Sequence, residues 1–182
     1  MLRFSRRAAL ALPLLAATAA WAAQDADNTV ILTTKHGKVV IRLRPDWAPK
    51  HVAQIKTLVN RKFYDGIVFH RVIPGFMAQT GDPTGTGSGG SDLPNIPAEF
   101  SKTHFTRGIV GMARSSLPDS ANSQFFIMFA DADSLDGQYT AFGEVVSGMD
   151  AVDKIKAGTE ANNGAVTNPD KIITMRMASE TK

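Results

Sequence analysis

The sequence predicts a mainly β protein built around one core, on three observations. Short runs rich in β-branched and aromatic residues recur along the chain with turn residues between them, whereas only two segments repeat apolar positions at helical spacing. About 160 residues follow the amino-terminal segment, a length that suits one domain. Internal repeats, heptads and low-complexity linkers are missing from the sequence. Many short strands with two helices favour a closed barrel capped at its ends; a β-sandwich would give the same periodicity.

The first two strands are Thr29 to Thr34 and Lys38 to Leu43, β-branched runs around His36-Gly37, which reads as a hairpin turn. Pro49 opens a helix through about Lys62, with Val52, Ile55, Leu58 and Val59 on one face. Further strands are expected at Ile67 to Val72, Phe76 to Thr80, Ile96 to Glu99, Ile109 to Arg114, Gln124 to Phe129, Thr140 to Val146 and Ile172 to Met177. A second short helix fits Met149 to Lys156, where Met149, Val152 and Ile155 share a face.

Residues 1–22 read as a cleaved secretory signal peptide and 23–182 as a single mature domain. Arg3, Arg6 and Arg7 form the basic stretch, Ala8 to Ala20 the apolar run, and small residues around Ala20-Trp-Ala22 the cleavage site. Pro13 breaks the apolar run, which is shorter than the roughly 20 residues of a spanning helix. Ser5-Arg6-Arg7 hints at twin-arginine export, but Ala8 and Ala9 stand at the expected hydrophobic position, and the general secretory route is favoured. The mature chain is expected to be a free periplasmic or otherwise exported monomer without stable membrane insertion. The absence of cysteine excludes disulfides, thiolate chemistry and a cysteine-linked lipid anchor.

The whole chain has 20 basic and 17 acidic residues. Three of the basic residues precede the cleavage site and the first acid is Asp25, leaving 17 of each in the mature chain. A formally neutral chain without a Lys/Arg block gives no sign of nucleic-acid binding. Gly85-Thr-Gly87-Ser-Gly-Gly90 has the dinucleotide spacing, yet it runs into Ser91-Asp92-Leu93-Pro94-Asn95 and not into a helix, so it reads as a mobile or tightly turned surface loop. His36, His51, His70 and His104 lack metal-ligand spacing, and no GxSxG or cysteine nucleophile is present. No cofactor or metal is expected. These exclusions fit an enzyme that makes and breaks no covalent bond.

Two segments carry the functional reading: Phe69-His-Arg-Val-Ile-Pro-Gly-Phe-Met-Ala-Gln-Thr-Gly-Asp82 and Asn122-Ser-Gln-Phe-Phe-Ile127. Both are apolar and strand-like, yet Arg71, Gln79 and Gln124 put long polar side chains where a plain core strand would not want them. Such groups need partners when buried, so they line a site more often than they fill a core. Together the segments resemble the cyclophilin family of peptidyl-prolyl isomerases, over about Val30 to Met177. The resemblance implies a closed eight-stranded antiparallel β-barrel capped by two α-helices, and proline-containing unfolded or extended polypeptide segments as partners.

Prolyl isomerisation asks for what these residues supply. Amide resonance opposes rotation with a barrier of about 18–20 kcal/mol. In the twisted state the prolyl nitrogen becomes pyramidal and basic, and a fixed cationic donor there favours it over both planar states. Arg71 is the candidate donor, charged and rigidly forked. The resemblance implies that Gln79 holds Arg71 and bonds the substrate backbone, and that Phe76, Met77, Phe126 and Leu135 surround the pyrrolidine ring, with Gln124 beside the pocket. Gly111-Met-Ala113-Arg-Ser115 would form the groove strand, with Ala113 admitting a side chain and Arg114 pairing through its backbone with an extended peptide. Asn122 is expected to serve local structure. In Asp133-Ser134-Leu135-Asp136-Gly137-Gln138-Tyr139 two departures stand out: Ser134 replaces the tryptophan of many eukaryotic members, and Tyr139 a frequent histidine. Weak binding of cyclosporin-type inhibitors is expected, with Tyr139 keeping a ring and a donor at the rim.

Overall fold

A computed structural model describes residues 25–181. The signal-peptide reading of residues 1–22 lies outside the described residues. None of the helices among the described residues is long and apolar enough to cross a membrane. Eight antiparallel strands form one curled sheet: β1 Thr29–Thr34, β2 Gly37–Leu43, β3 Arg71–Ile73, β4 Met77–Thr80, β5 Ile109–Met112, β6 Phe125–Met128, β7 Ala141–Ser147 and β8 Thr174–Met177. Among the described residues the helices α1 Pro49–Asn60 and α2 Met149–Val152 accompany it.

The strand order β3-β4-β6-β5-β7-β2-β1-β8 leaves β3 and β8 as edges, so the sheet is open and not the expected closed barrel. Irregular chain spans the gap instead. Val68 and Lys171 form an isolated bridge, and the Ile172 amide donates to Ile67 O at 2.9 Å. The reason β3 begins late, at Arg71 and not Ile67, lies partly here. Val68 O accepts the Thr80 hydroxyl at 3.0 Å, a side-chain bond in place of a ladder bond.

Two other expected elements differ. Ile96 to Glu99 makes only an isolated bridge, Ile96 with Ala121. Pro94 and Pro97 remove two backbone donors there, and the Glu99 carboxylate instead accepts the Lys50 and His51 amides at the start of α1. The second helix stops at Val152, four residues before Lys156. The Lys156 amide donates to the Asp170 carboxylate at 3.0 Å and so leaves the helical pattern.

Alternation along the strands divides the apolar side chains into two layers. Val72, Ala78, Val110 and Ile127 face the main core with Val52, Ile55, Leu58 and Val59 of α1. Their neighbours Met77, Ile109, Phe126 and Met128 face the other way and form a second apolar layer with Phe105 and Ala141. That explains why β5 and β6 are buried at every position. A strand covered on both faces loses the alternating apolar pattern.

Asp170 fastens the seam between β1–β2 and the approach to β8. Its buried carboxylate meets Lys35 Nζ at 2.6 Å and His36 Nε2 at 2.8 Å. Burial opposes its ionisation, but Lys35, the Lys156 amide and His36 outweigh that and hold the carboxyl at about 2. This folded value lies below the ordinary 3.8, so the stabilisation is fully present above about pH 4 and fades as pH falls toward 2. Asp170→Asn is expected to lower urea-unfolding stability at pH 7 by about 2 kcal/mol, and the difference from the native chain should vanish near pH 2. Equal midpoints at pH 7 would contradict this role.

Candidate functional site

Ladder register assembles the site. Arg71 pairs with Gln79, Gln79 with Phe126, Phe126 with Gly111, and Gly111 with Ala141. Residues far apart in sequence thereby form one row across five strands, on the face turned away from the main core. Neighbouring strands lie about 4.8 Å apart, so each residue in the row is within reach of the next.

At one end of the row the Arg71 guanidinium is held by neutral acceptors. Nε donates to Asn163 O at 3.0 Å, Nη2 to Asn163 Oδ1 at 2.9 Å and Nη1 to Gln79 Oε1 at 3.2 Å. Three of its five N–H donors are engaged, two have no partner among the described residues, and the residue lines an adjoining pocket. No carboxylate lies within 4.0 Å of it among the described residues. The amide network continues from Gln79 Nε2 to Gln124 Oε1 at 2.9 Å, and from Gln124 Nε2 to Gly87 O and Gly89 O at 3.0 and 2.8 Å. Burial pulls the Arg71 pKa down, with Tyr139 acting the other way. An arginine stays charged through such a shift. Burial also pushes the neighbouring His70 down, against Asp82. A neutral imidazole there adds no second cation.

The middle of the row forms the apolar floor of a pocket of about 190 Å³. Phe126 is its base, stacked on Phe105 with ring centroids 5.8 Å apart and met edge-on by Tyr139 at 5.8 Å. Phe76, Met77, Ala113 and Leu135 complete the walls, with Arg71, Gln79, Arg114 and Tyr139 at the rim. Nine of the ten residues singled out from the sequence thus line one cavity. Gln124, the tenth, lines an adjoining groove of about 630 Å³ that shares Gln79, Ala113 and Arg114 with the pocket.

Arg114 acts mainly as a brace. Its guanidinium donates to Gln138 O, Ser115 O and Ser116 O and sits 4.6 Å from the Tyr139 ring centroid. The β5 ladder accordingly ends at Met112, two residues before Arg114. Asn122 serves local structure as expected: its amide accepts from Ser91 and donates to Leu93 O.

The glycine-rich loop is turned tightly around Asp82. That carboxylate accepts the Thr84, Thr86 and Gly87 amides and the Thr84 hydroxyl. Burial opposes its ionisation, yet these donors, together with the Gly89 amide, hold it at about 2. The loop is thereby fixed where its Gly87 and Gly89 carbonyls meet Gln124. The residue that the sequence reading missed is Asn163. Asn162-Asn163-Gly164 is a readable turn signal, but nothing in one sequence links that turn to Arg71.

The family model described as "Cyclophilin type peptidyl-prolyl cis-trans isomerase/CLD" matches residues 29–177. A protein of Brucella suis biovar 1 named "Probable peptidyl-prolyl cis-trans isomerase" is 62% identical over 171 residues, covering 88% of this chain and 87% of its own. Among solved structures, a cyclophilin from Hirschia baltica aligns with a TM-score of 0.77 at 30% identity, covering 86% of this chain and 76% of its own. A Cryptosporidium parvum cyclophilin-type isomerase crystallised in the presence of the dipeptide Ala-Pro gives 0.75 at 27% identity, covering 82% and 98%. The chain belongs to the cyclophilin-type peptidyl-prolyl cis-trans isomerases.

Gly111 gives this site a sharp steric test. A Cβ at that position would stand 2.5 Å from Phe126 Cζ and 2.6 Å from Phe105 Cε1, so both rings would have to move. Gly111→Ala is expected to cost about 1–3 kcal/mol of stability through overpacking and roughly tenfold in kcat/KM, measured on an Ala-Pro peptide. Native kinetics in the folded variant would contradict the placement of the Phe126 ring.

Proposed function

We propose that Arg71 performs the isomerisation by stabilising the twisted X-Pro bond, with the pyrrolidine ring seated on Phe126 and the preceding residues extended along the groove past Ala113 and Arg114. The observation that carries this reading is the state of Arg71. Three bonds to neutral acceptors fix its direction, two N–H groups stay free beside an apolar floor, and no described carboxylate shares its charge. Support for a proline-containing ligand comes from the Cryptosporidium parvum relative crystallised in the presence of Ala-Pro.

The chemistry follows from differential binding. In the planar amide the prolyl nitrogen lone pair is delocalised and accepts poorly. At about 90° of twist it is localised, and a cationic N–H beside it gains strength only then. Phe76, Met77, Leu135 and Phe126 exclude water, which keeps that interaction unscreened. Gln79 serves twice, holding Arg71 and offering its amide toward the substrate backbone. An acceleration of about 10⁵ needs about 7 kcal/mol of such differential stabilisation, a sum within reach of one charged donor, desolvation and positioning together.

The clients we propose are exported polypeptides folding in the cell envelope, on the strength of the basic, apolar and small-residue layout of residues 1–22. Mass spectrometry of the secreted chain should then give an amino terminus at Ala23. An intact Met1 would contradict export by cleavage. With Ser134 exposed where a tryptophan wall is absent, cyclosporin should bind the same preparation weakly.

The direct test of the site is cis/trans exchange of a short Ala-Pro peptide by NMR, with the mature chain and Arg71→Ala. Loss of one oxyanion-hole-type donor costs about 10²–10³ in rate, and we expect at least a hundredfold, with peptide affinity retained. Unchanged exchange in the variant would remove Arg71 from the mechanism. Binding without acceleration in the native chain would leave a noncatalytic proline-binding module.

A further inference from the structure

We propose that Asn163 is a positioning residue for the isomerisation, and that its neutrality is the property that matters: it aims the Arg71 guanidinium through two acceptors along one edge, its main-chain and side-chain oxygens, without sharing its charge. This rests on the reading of Arg71 as the donor to the prolyl nitrogen.

The seven arginines among the described residues make the contrast. Arg42, Arg44, Arg61, Arg107 and Arg176 each meet a carboxylate, at between 2.6 and 3.4 Å. Arg71 and Arg114 do not, and these are the two that line the pocket. Arg114 is spent on backbone carbonyls and the Tyr139 ring. Arg71 keeps two N–H groups without a partner among the described residues beside the apolar floor, and its two Asn163 bonds determine the plane of its fork.

The chain around Asn163 is built to hold it there. Residues 160–162 form a single helical turn capped by Thr159, whose amide and hydroxyl both reach Asn162 Oδ1. Asn163 ends the turn in the left-handed region at φ 55° and ψ 35°, which asparagine tolerates better than most residues. The next residue is fastened to β3 itself: the Val72 amide donates to Gly164 O at 2.8 Å, and the Gly158 amide donates to Val72 O at 3.0 Å. The turn carrying Asn163 and the strand carrying Arg71 therefore form one unit, and the pair of acceptors sits at a fixed offset from the guanidinium.

A carboxylate would satisfy the same hydrogen bonds. At this position it would be stronger in bonding and worse in function, because charge neutralised in the ground state is withdrawn from the developing lone pair in the twisted state. Side-chain amides from Asn163 and Gln79, with a backbone carbonyl, supply direction without neutralisation.

Three variants of the mature chain test this, with kcat and KM for an Ala-Pro peptide measured separately and thermal midpoints alongside. Asn163→Asp keeps the shape and both oxygens; we expect kcat to fall roughly tenfold or more with KM within about twofold, the pattern of an interaction made in the transition state, and a midpoint no lower than native. Asn163→Gly keeps the left-handed backbone and the main-chain acceptor; a smaller loss, of a few fold in kcat, should follow. Arg71→Lys runs in parallel. Native kcat in Asn163→Asp while Arg71→Lys is slow overturns this inference alone. A loss in Asn163→Asp that tracks a lowered midpoint overturns it in favour of a merely structural turn. Native kcat in Arg71→Lys overturns this inference together with the reading of Arg71 beneath it.

Discussion

The register of the β3-β4-β6-β5 ladder is the constraint on which the rest depends. Strand pairing places Val72, Ala78, Ile127 and Val110 in one continuous row, and each of them is at most 1% exposed. Apolar burial along this row fixes the alignment of four strands at once. The site row, Arg71, Gln79, Phe126 and Gly111, is one residue along on each strand and is therefore carried into place by the core behind it. A slip of one residue in any pairing would exchange the two faces, sending a guanidinium or an amide into the apolar layer and aliphatic side chains onto the pocket. Stability and site geometry are thus determined by the same contacts.

A second constraint is electrostatic. The elements that surround Arg71 hold their own charges elsewhere. Asp82 is occupied by the amides of its loop, and His70 is kept neutral by burial. What faces the guanidinium is a chain of amides from Asn163 through Gln79 and Gln124 to the Gly87 and Gly89 carbonyls. Gln79 and Gln124 each accept and donate in this chain while Asn163 accepts twice from Arg71, so the fork is oriented with its net charge intact. The apolar side chains of the adjoining pocket strengthen whatever the two remaining N–H groups meet there.

Much of this was legible in the sequence, for a physical reason. Arg71, Gln79 and Gln124 stand in apolar runs where only a site gives them partners, and the surrounding motif pair is dense enough to name a family. Nine of the ten chosen residues come together in the pocket because they belong to those two segments and to the short loops that cover them. Phe126 and Met77 are not distinguishable from core residues by pattern, since both are buried apolar residues in strands covered on both faces. Barrel closure was overread: nothing in local periodicity reports whether the outer strands pair, and the Ile67–Val72 segment meets the Lys171–Ile172 segment through irregular bonds and not through a ladder. The strand expected at Ile96 to Glu99 contained its own objection in Pro97. Asn163 was missed because its partnership with Arg71 spans 92 residues and runs through a turn whose local signals concern only its own backbone.

The central claim is that a positive charge at position 71, held by neutral groups, accelerates rotation about the X-Pro bond. Citrulline at that position, introduced by semisynthesis, keeps the length and planarity of the side chain and removes its charge. The account predicts that NMR exchange of a bound Ala-Pro peptide slows by at least about a hundredfold while its affinity stays near native. Exchange at the native rate with citrulline in place would contradict it, and would move the origin of catalysis to the apolar pocket and the backbone.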